Sequence, residues 1–260
     1  MSIHGMAGLL LLPAWLAGAS VAVAGPTEAL LDARTRAYDG NFRNDAAVMK
    51  AAIADFVRLA QDSTLRPYAL YYAAWTEWVL TASHLEAQDR AAAMTSSRAA
   101  AEHARALVEM RPNVADFQSM LANALVSVAV VDSVRSRETF ALITAPRRKA
   151  LELGPSNPRV LIMDAGLIFY TPAERGGGQE KGLEQWRRAM ELFESEAKSR
   201  PVDPLMPRWG RAEAYGWLAS LYLNASPPRT DEARRAAKRA LELRPDYWWV
   251  KARVMPRLKS

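Results

Sequence analysis

Five prolines, each of which closes an alanine-rich stretch, recur along the chain at nearly constant spacing. They are Pro67, Pro112, Pro155, Pro201 and Pro245, at separations of 45, 43, 46 and 44 residues. A proline ring cannot continue a helix, and it pushes the residue before it out of the α region. Each interval has room for two helices and their loops. The spacing therefore predicts about five helix pairs stacked around a continuous core.

The composition favours helix over sheet. Half of the 260 residues are hydrophobic and 24% are charged, which is the balance of a folded chain. Alanine loses least on entering a helix, and runs of Val, Ile and Thr are few. We predict an all-α fold without a linker that would divide residues 25–260. The predicted helices are 27–38, 45–61, 66–83, 87–110, 114–132, 136–153, 158–169, 180–199, 208–224, 230–243 and 246–254, with loops at Gly40–Asn44, Thr171–Gly178 and Ser226–Arg229.

The last interval carries a residue pattern that resembles the tetratricopeptide repeat (TPR) family. The matching positions are Tyr215, Leu218, Ala219 and Tyr222 on one predicted helix, and Ala233, Ala237, Ala240 and Pro245 on the next. The resemblance covers roughly residues 65–258 and implies a right-handed α-α superhelix of antiparallel helix pairs. The period of about 44 exceeds the 34 residues of that family, so we infer lengthened loops or helices. A HEAT-like arrangement, whose periods are about 40 to 47, remains an alternative.

A second resemblance lies in the segment Asn157–Glu194 together with RPVDPLMPRWG at residues 200–210. Both are similar to a group of exported bacterial TPR proteins that share a Tyr-Thr-Pro then Gly-Gly turn and a Pro-x-Trp-Gly segment. This resemblance implies a fold and export from the cytoplasm. It implies no activity.

The first 24 residues have the features of an export signal. Ala7–Val23 carries no charge, and the segment ends in the small-x-small pattern Ala22, Val23 and Ala24. We expect cleavage after Ala24, a mature chain of residues 25–260 without a stable membrane span, and a periplasmic or secreted location. The absence of Lys and Arg before Ala7 argues against this interpretation. The alternative is a retained anchor, but a run of about 17 apolar residues is short for a span of about 20.

The chain contains no cysteine. This excludes a lipid-anchored lipoprotein, disulfides and thiolate metal sites.

The glycine triplet Gly176–Gly178 precedes a lysine and an amphipathic run, which raises the possibility of a phosphate loop. Such a loop needs a buried strand before it and Ser or Thr after the lysine. Here Gly182 follows Lys181, and the preceding segment repeats its apolar residues at helical spacing. We therefore predict a structural turn between the two helices of one repeat, in which glycine supplies positive φ angles.

Catalytic and metal-binding patterns are poor. His84 and His103 lie on different predicted helices without carboxylates at metal-ligand spacing, and we expect both at the surface. No nucleophile or paired-carboxylate motif is present. We predict no metal, no cofactor and no enzymatic activity, although residues that are distant in sequence can still meet in space.

The net charge of +6 and the pI near 9.7 come with basic clusters at 147–149, 187–188 and 234–239. A positive surface attracts nucleic acid, anionic lipid or acidic partners. Glutamates interleave with these clusters on the predicted second helices, which is typical of a solvated convex face. Together with the predicted export, this argues against a nucleic-acid partner.

Seven tryptophans lie in the mature chain, and we expect most of them in the core between stacked helices. The seven are Trp75, Trp78, Trp186, Trp209, Trp217, Trp248 and Trp249. Adjacent Trp248 and Trp249 cannot both face the same way, so we expect at least one to be partly exposed. The segment around them is predicted to cap the last repeat.

The family resemblance also implies which residues line the concave side. Its inward-facing positions fall on Asp116, Ser119, Asn123, Glu213 and Ser220. Asn123 ranks first because its amide can pair with the backbone of an extended peptide. The alternative is that all five are ordinary solvated residues.

Three function hypotheses follow. The favoured one is an exported scaffold or adaptor that binds a protein or peptide partner in the cell envelope without catalysis. The second is a periplasmic component of a solute-uptake system that binds a small ligand in a helical pocket or pore. The third is a hydrolase or lyase on a helical scaffold. A shallow polar groove would favour the first, a buried polar cavity the second, and a cleft with a perturbed acid or histidine the third.

Overall fold

Ten α-helices make up most of residues 25–132, 134 and 136–259, which the computed structural model describes. No β-strand occurs in these ranges. The predicted signal peptide lies outside them. The helices are α1 (Pro26–Arg43), α2 (Ala46–Leu59), α3 (Arg66–Glu86), α4 (Arg90–Met110), α5 (Ala115–Val131), α6 (Ser136–Leu153), α7 (Pro158–Tyr170), α8 (Gln179–Glu196), α9 (Arg211–Asn224) and α10 (Thr230–Leu243).

Each odd-numbered helix packs most extensively on the even-numbered helix that follows it, giving five pairs. The first helices also contact one another, α1 with α3, α3 with α5 and α5 with α7, so they line the inner side of the stack. The architecture is the predicted right-handed superhelix of antiparallel pairs. Most predicted helix ends lie within about three residues of the observed ones, because prolines and N-terminal capping residues mark them locally.

Alanine makes the close approach of paired helices possible. Ala233, Ala237 and Ala240 of α10 are fully buried on one face, as their spacing predicts. A face of small side chains lets a neighbouring backbone lie near, and larger side chains of the partner helix fill the remaining space.

Two predicted boundaries are wrong. The loop predicted at Gly40–Asn44 is mostly helix, because α1 continues to Arg43 and only Asn44 adopts a left-handed conformation, with φ of 55°. Gly40 is required by packing, since a Cβ atom there would lie 2.9 Å from Cγ of Met49. The last predicted helix, 246–254, contains a π-helical turn at Val250–Val254 in place of a regular α-helix.

The connection between α8 and α9 crosses the inner side of the superhelix. Residues 201–209 of this connection, here called the inner segment, bind side chains of α1, α3 and α7. The hydrogen bonds join Tyr68 Oη to Asp203 (2.7 Å), Arg34 to the Pro204 carbonyl (2.7 Å), Tyr72 Oη to the Leu205 carbonyl (2.7 Å), Arg159 to the Pro207 carbonyl (2.5 Å) and Trp209 Nε1 to Tyr71 Oη (2.8 Å). The chain thus fills part of its own groove.

The first and last helix pairs meet at a seam. Arg244, just after α10, donates to Asp39 of α1 at 2.9 Å, and its guanidinium lies 4.0 Å from the ring centroid of Phe42. The ring of Phe42 also packs edge-on against Tyr247, with centroids 5.0 Å apart. Since these contacts join residues about 200 positions apart in sequence, they tie the two ends of the superhelix together.

Candidate functional site

Asp116, the first of the predicted concave-face residues, is buried near the start of α5. Its side chain accepts a hydrogen bond of 2.7 Å from Asn157, and its Oδ1 lies 3.9 Å from Nε of Arg159. Burial raises the pKa of this carboxyl, and the nearby guanidinium opposes that rise. The residue joins the third and fourth helix pairs.

Ser119 and Asn123 lie one turn apart on the same helix and are also buried. The Asn123 side-chain amide donates to the Ser119 carbonyl at 2.8 Å, so its hydrogen-bond partner lies within its own helix. Arg147 and Asp164 form an ion pair beside them, across a narrow gap that leaves almost no free volume. The amide favoured for peptide pairing therefore has an internal partner.

Glu213 and Ser220 lie on α9, whereas the other three predicted residues lie on α5. The Glu213 side chain is 3% exposed and accepts a hydrogen bond of 3.1 Å from the Gly210 amide, at the first turn of its helix. Burial raises its pKa above the ordinary value. Ser220 is half-buried. The five predicted residues lie on two helices, Arg159 is an electrostatic neighbour of both Asp116 and Glu213, and contact of the five with a ligand remains a prediction.

A cleft of about 270 Å³ opens beside the C-terminal half of α3. We call it the aromatic cleft, because tryptophans from three parts of the chain line it. Its wall includes Trp78, Val79, Ala82, Leu85 and Glu86 of α3, Val126, Ser127 and Val130 of α5, Trp217 of α9, Trp248 and Trp249 near the C-terminus, and Asn44 and Met49 near the first pair. Most of the tryptophans were predicted to lie in the core, and this grouping at one cleft was not predicted.

The tryptophans behind the cleft hold those in its wall. Trp78 and Trp217 pack edge to face, with centroids 5.8 Å apart and an interplanar angle of 89°. Trp209, from the inner segment, lies 6.1 Å from the first and 6.3 Å from the second. Trp75 and Trp209 are buried, as predicted, whereas Trp78 and Trp217 are only half-buried. The buried indole of Trp209 thus braces the two half-buried rings.

The rim of the cleft combines one ion pair with exposed apolar side chains. Glu86 pairs with Arg253, whose guanidinium lies 5.5 Å from the ring centroid of Trp248. Leu85 and Val130 lie at the same cleft with 38% and 57% of their surfaces exposed. Large apolar side chains kept in water beside a concave apolar wall are typical of a binding surface.

Adjacent Trp248 and Trp249 are both half-buried, which confirms that at least one of them is partly exposed. The indole Nε1 of Trp249 is buried without a hydrogen-bond partner among the described residues.

The glycine triplet forms a turn between α7 and α8, as predicted. Gly176 and Gly178 have φ of 83° and 125°, in the region that favours glycine. A Cβ atom on Gly177 would lie 2.2 Å from the Thr171 carbonyl oxygen. The Lys181 amine donates to the Gly176 carbonyl at 2.7 Å, so the lysine closes the loop on itself.

The basic clusters are largely paired with carboxylates. Their ion pairs include Arg147–Asp164, Arg148–Glu152, Arg187–Glu180, Arg234–Asp231 and Arg239–Glu242.

His84 and His103 are half-buried on α3 and α4, and burial lowers the pKa of each. In residues 25–132, 134 and 136–259, no group of three acidic or histidine side chains is placed to hold a metal ion. No helix in these ranges is long and apolar enough to cross a membrane.

The fold is similar to two solved structures. A thermophilic TPR protein from Thermus thermophilus superposes with a TM-score of 0.57 at 20% identity, covering 91% of this chain and 100% of that one. The HusA haemophore from Porphyromonas gingivalis superposes with a TM-score of 0.58 at 20% identity, covering 78% of this chain and 95% of that one. No family model and no curated protein matches the sequence. At this identity the likeness establishes a TPR-like fold.

Proposed function

We propose that this chain is an exported, non-catalytic TPR-like scaffold or adaptor that binds a protein partner in the cell envelope. The observation that carries the proposal is the aromatic cleft, an open apolar concavity on a helical-repeat fold. The inner segment occupies part of the groove along which an extended peptide would lie. The partner is therefore expected to dock at the cleft and to place an apolar side chain there.

The chemistry of the cleft suits a protein anchor. Tryptophan is enriched among the residues that contribute most to protein interfaces, because it buries a large, rigid surface at little cost in side-chain entropy. Trp78 and Trp217 present such surfaces, and exposed Leu85 and Val130 extend them. A partner that buries these groups would remove apolar surface from water. The favourable free energy is about 25 cal/mol for each Å² buried.

The acidic groups support a role without catalysis. Asp116 and Glu213, whose pKa values burial raises, are held inside the protein by Asn157 and by the Gly210 amide. Neither lines the aromatic cleft. Its carboxylate, Glu86, is paired with Arg253. A general acid or base needs access to a substrate, and these groups are engaged elsewhere.

A capture experiment tests the adaptor. Mature chain 25–260 is immobilised, exposed to envelope extract and compared with Ala82→Glu, which places a charge in the apolar wall. Ala91→Glu is the matched control, since Ala91 is also an exposed helical alanine but lies on α4, outside the cleft. We expect a protein retained by the wild type and the control, and lost from Ala82→Glu. Retention by all three would place docking elsewhere, and no retained protein would contradict the adaptor.

The predicted export has a separate test. The full chain, expressed with a C-terminal tag in a bacterial host, is expected in the periplasmic or secreted fraction with Gly25 as its first residue, as read by N-terminal sequencing. A chain that keeps residues 1–24 and sediments with the membrane would support the anchor instead.

A second candidate is the solute-uptake component. It is favoured by the concentration of indoles in one cleft and by the similarity of the fold to a haemophore, which is a ligand-carrying protein. In this case the cleft would hold a small molecule in place of a side chain.

A further inference from the structure

We propose that the aromatic cleft binds a neutral, flat, two-ring aromatic molecule of about the size of naphthalene or indole. The ligand would occupy the same cleft at which the protein partner is expected to dock, but its binding does not depend on that partner.

The volume of the cleft matches a small ring system. An apolar cavity of about 150 Å³ holds a benzene molecule. The aromatic cleft, at about 270 Å³, is less than twice that size. Two fused rings match this space, whereas a single ring would leave part of the wall uncovered and a large macrocycle would protrude into solvent.

The ring arrangement favours a flat aromatic molecule. Aromatic groups prefer edge-to-face or offset contacts with centroids about 4.5 to 7 Å apart. Trp78 and Trp217 stand nearly perpendicular, so a flat molecule that stacks on one of them meets the other edge-on. Val79 and Val126 add an aliphatic surface to the same wall. One face and one edge of a planar ligand therefore find aromatic partners.

The wall is held in place before any ligand arrives. Trp209 packs against both Trp78 and Trp217, and its indole donates to Tyr71 at 2.8 Å. Because Trp209 is buried, its position is fixed by the inner segment and by α3. A preformed site loses less conformational entropy on binding.

The rim selects a neutral ligand. Its carboxylate, Glu86, and the guanidinium of Arg253 neutralise each other, so neither is free to compensate a charge brought in by a ligand. The remaining wall is mostly indole and aliphatic. Transfer of an ionised group from water into such surroundings without a partner is unfavourable.

Isothermal titration calorimetry tests the proposal with three naphthalene derivatives on the mature chain. The probes are 2-naphthol, which is neutral at pH 7, 2-naphthoate, and 2-naphthyltrimethylammonium. We expect saturable binding of one 2-naphthol per chain, at least about tenfold tighter than binding of either ion, the difference reflecting the cost of burying a charge. Absence of saturable 2-naphthol binding, or tighter binding of an ion, would overturn the assignment.

Variants locate the site. Ala82→Leu adds a side chain to the wall of the cleft at an exposed position, where folding tolerates the change, and is expected to weaken 2-naphthol binding about tenfold. Ala91→Leu, on α4, should leave it unchanged. Ser127→Leu, from the α5 side of the cleft, is the second filling variant if the first alters the circular dichroism spectrum. Binding that survives both filling variants would place the ligand elsewhere and refute the proposal.

A parallel titration with haemin tests whether the cleft instead binds a large macrocycle. Haemin binding that is weaker than 2-naphthol binding agrees with the proposed size. Haemin that binds tighter than 2-naphthol and competes with it would overturn the size assignment. If the wild type captured no envelope protein, the adaptor would be contradicted, whereas the 2-naphthol titration would be unaffected, so the two proposals can fail independently.

Discussion

Glu213 shows how a single buried carboxyl can serve the backbone. It accepts the Gly210 amide at the first turn of α9, where helix N–H groups lack partners within the helix. Burial nevertheless makes its charged form unfavourable, so its pKa is raised, while two backbone hydrogen bonds and Arg244 act in the opposite direction. The hydrogen bond and the charge therefore have opposing effects on stability.

Substitution separates these effects. Glu213→Gln keeps an acceptor for the Gly210 amide and removes the charge, whereas Glu213→Ala leaves a buried N–H unpaired. We expect Glu213→Ala to lower the free energy of unfolding by about 2 kcal/mol, or about 6 °C in melting temperature. Glu213→Gln should melt at or above the wild-type temperature at pH 7.5.

The pH dependence of stability shows whether the charge of Glu213 stabilises or destabilises the fold. An acid whose folded-state pKa is raised contributes stability at low pH that is lost as the pH rises through that pKa. The advantage of Glu213→Gln over wild type should therefore grow from pH 4 towards neutrality. Thermal melts across this range measure it, and a Gln variant that melts below wild type at pH 7.5 would show that the carboxylate is bound as an anion.

At the scale of single residues, the sequence predicted the helix on which a residue lies better than it predicted the surroundings of the side chain. Asp116 and Asn123 lie on a first helix, as the family resemblance implied, but the partner of Asp116 is Asn157, 41 residues away. Periodicity shows which side of a helix faces inward. It does not show which distant side chain will be there, and so the solvated alternative and the burial of both residues could not be distinguished.

At the scale of elements, glycine controls the distance between paired helices. A Cβ atom on Gly182 of α8 would lie 2.7 to 2.8 Å from Phe169 of α7, including backbone atoms that cannot move aside. On α7, a Cβ atom on Gly166 would meet only a Trp186 ring carbon at 3.8 Å, an ordinary contact. The two positions are both helical and lie in the same pair.

We expect opposite effects of alanine at these positions. Gly182→Ala should lower the free energy of unfolding by about 2 kcal/mol, because it forces the helices apart. Gly166→Ala should raise it by about 0.5 to 1 kcal/mol, because alanine restricts the unfolded chain and favours helix. Urea titrations of both variants measure this, and equal effects would contradict the close approach at Gly182.

Element boundaries were predictable where local chemistry marks them. Pro158 begins α7 and Asn157 caps it, accepting from Arg159 and Val160 amides, and the prediction placed this start correctly. The extension of α1 past Gly40 was missed because glycine also signals turns. Its actual role, contact with Met49, depends on the neighbouring helix and has no local signature.

At the scale of the whole molecule, charge contributes to the seam between the first and last pairs. Asp246 binds Arg244, two residues away, and to a smaller degree Arg43 at the end of α1, and these hydrogen bonds lower the pKa of Asp246 to about 2. Of the two, the bond to Arg43 crosses the seam. The Asp246 side chain is 34% exposed, so solvent screens part of the interaction. The seam was not predictable, since it joins residues from opposite ends of the repeat array.

Acid titration tests the seam. An acid with a lowered folded-state pKa contributes stability above its unfolded pKa, and this contribution is lost as the pH falls through about 2. Asp246→Asn should lower the melting temperature by about 2 °C at pH 7. The difference from wild type should close between pH 4 and pH 2. Asp231→Asn, at an exposed pair within one helix, is the control and should differ little from wild type at any pH.

The contacts of the inner segment were also not predictable from local patterns. The segment lies within RPVDPLMPRWG, residues 200–210, which is part of the second family resemblance. Its prolines predicted only a helix stop. The hydroxyls of Tyr68 and Tyr72 that hold it come from α3, more than 130 residues earlier. Contacts between distant repeats therefore close part of the groove, and a pattern within one repeat does not predict them.

The seam changes how the molecule can come apart. In an open array of repeats, stability is roughly a sum of neighbour terms, and each terminal repeat can fray alone. Here, unfolding of α1 would remove the partners of Arg244 and Tyr247, and loss of the C-terminal turn would expose Phe42. Each end protects the other, so the first and fifth pairs should open together, and their amide protons should exchange with solvent at a common rate.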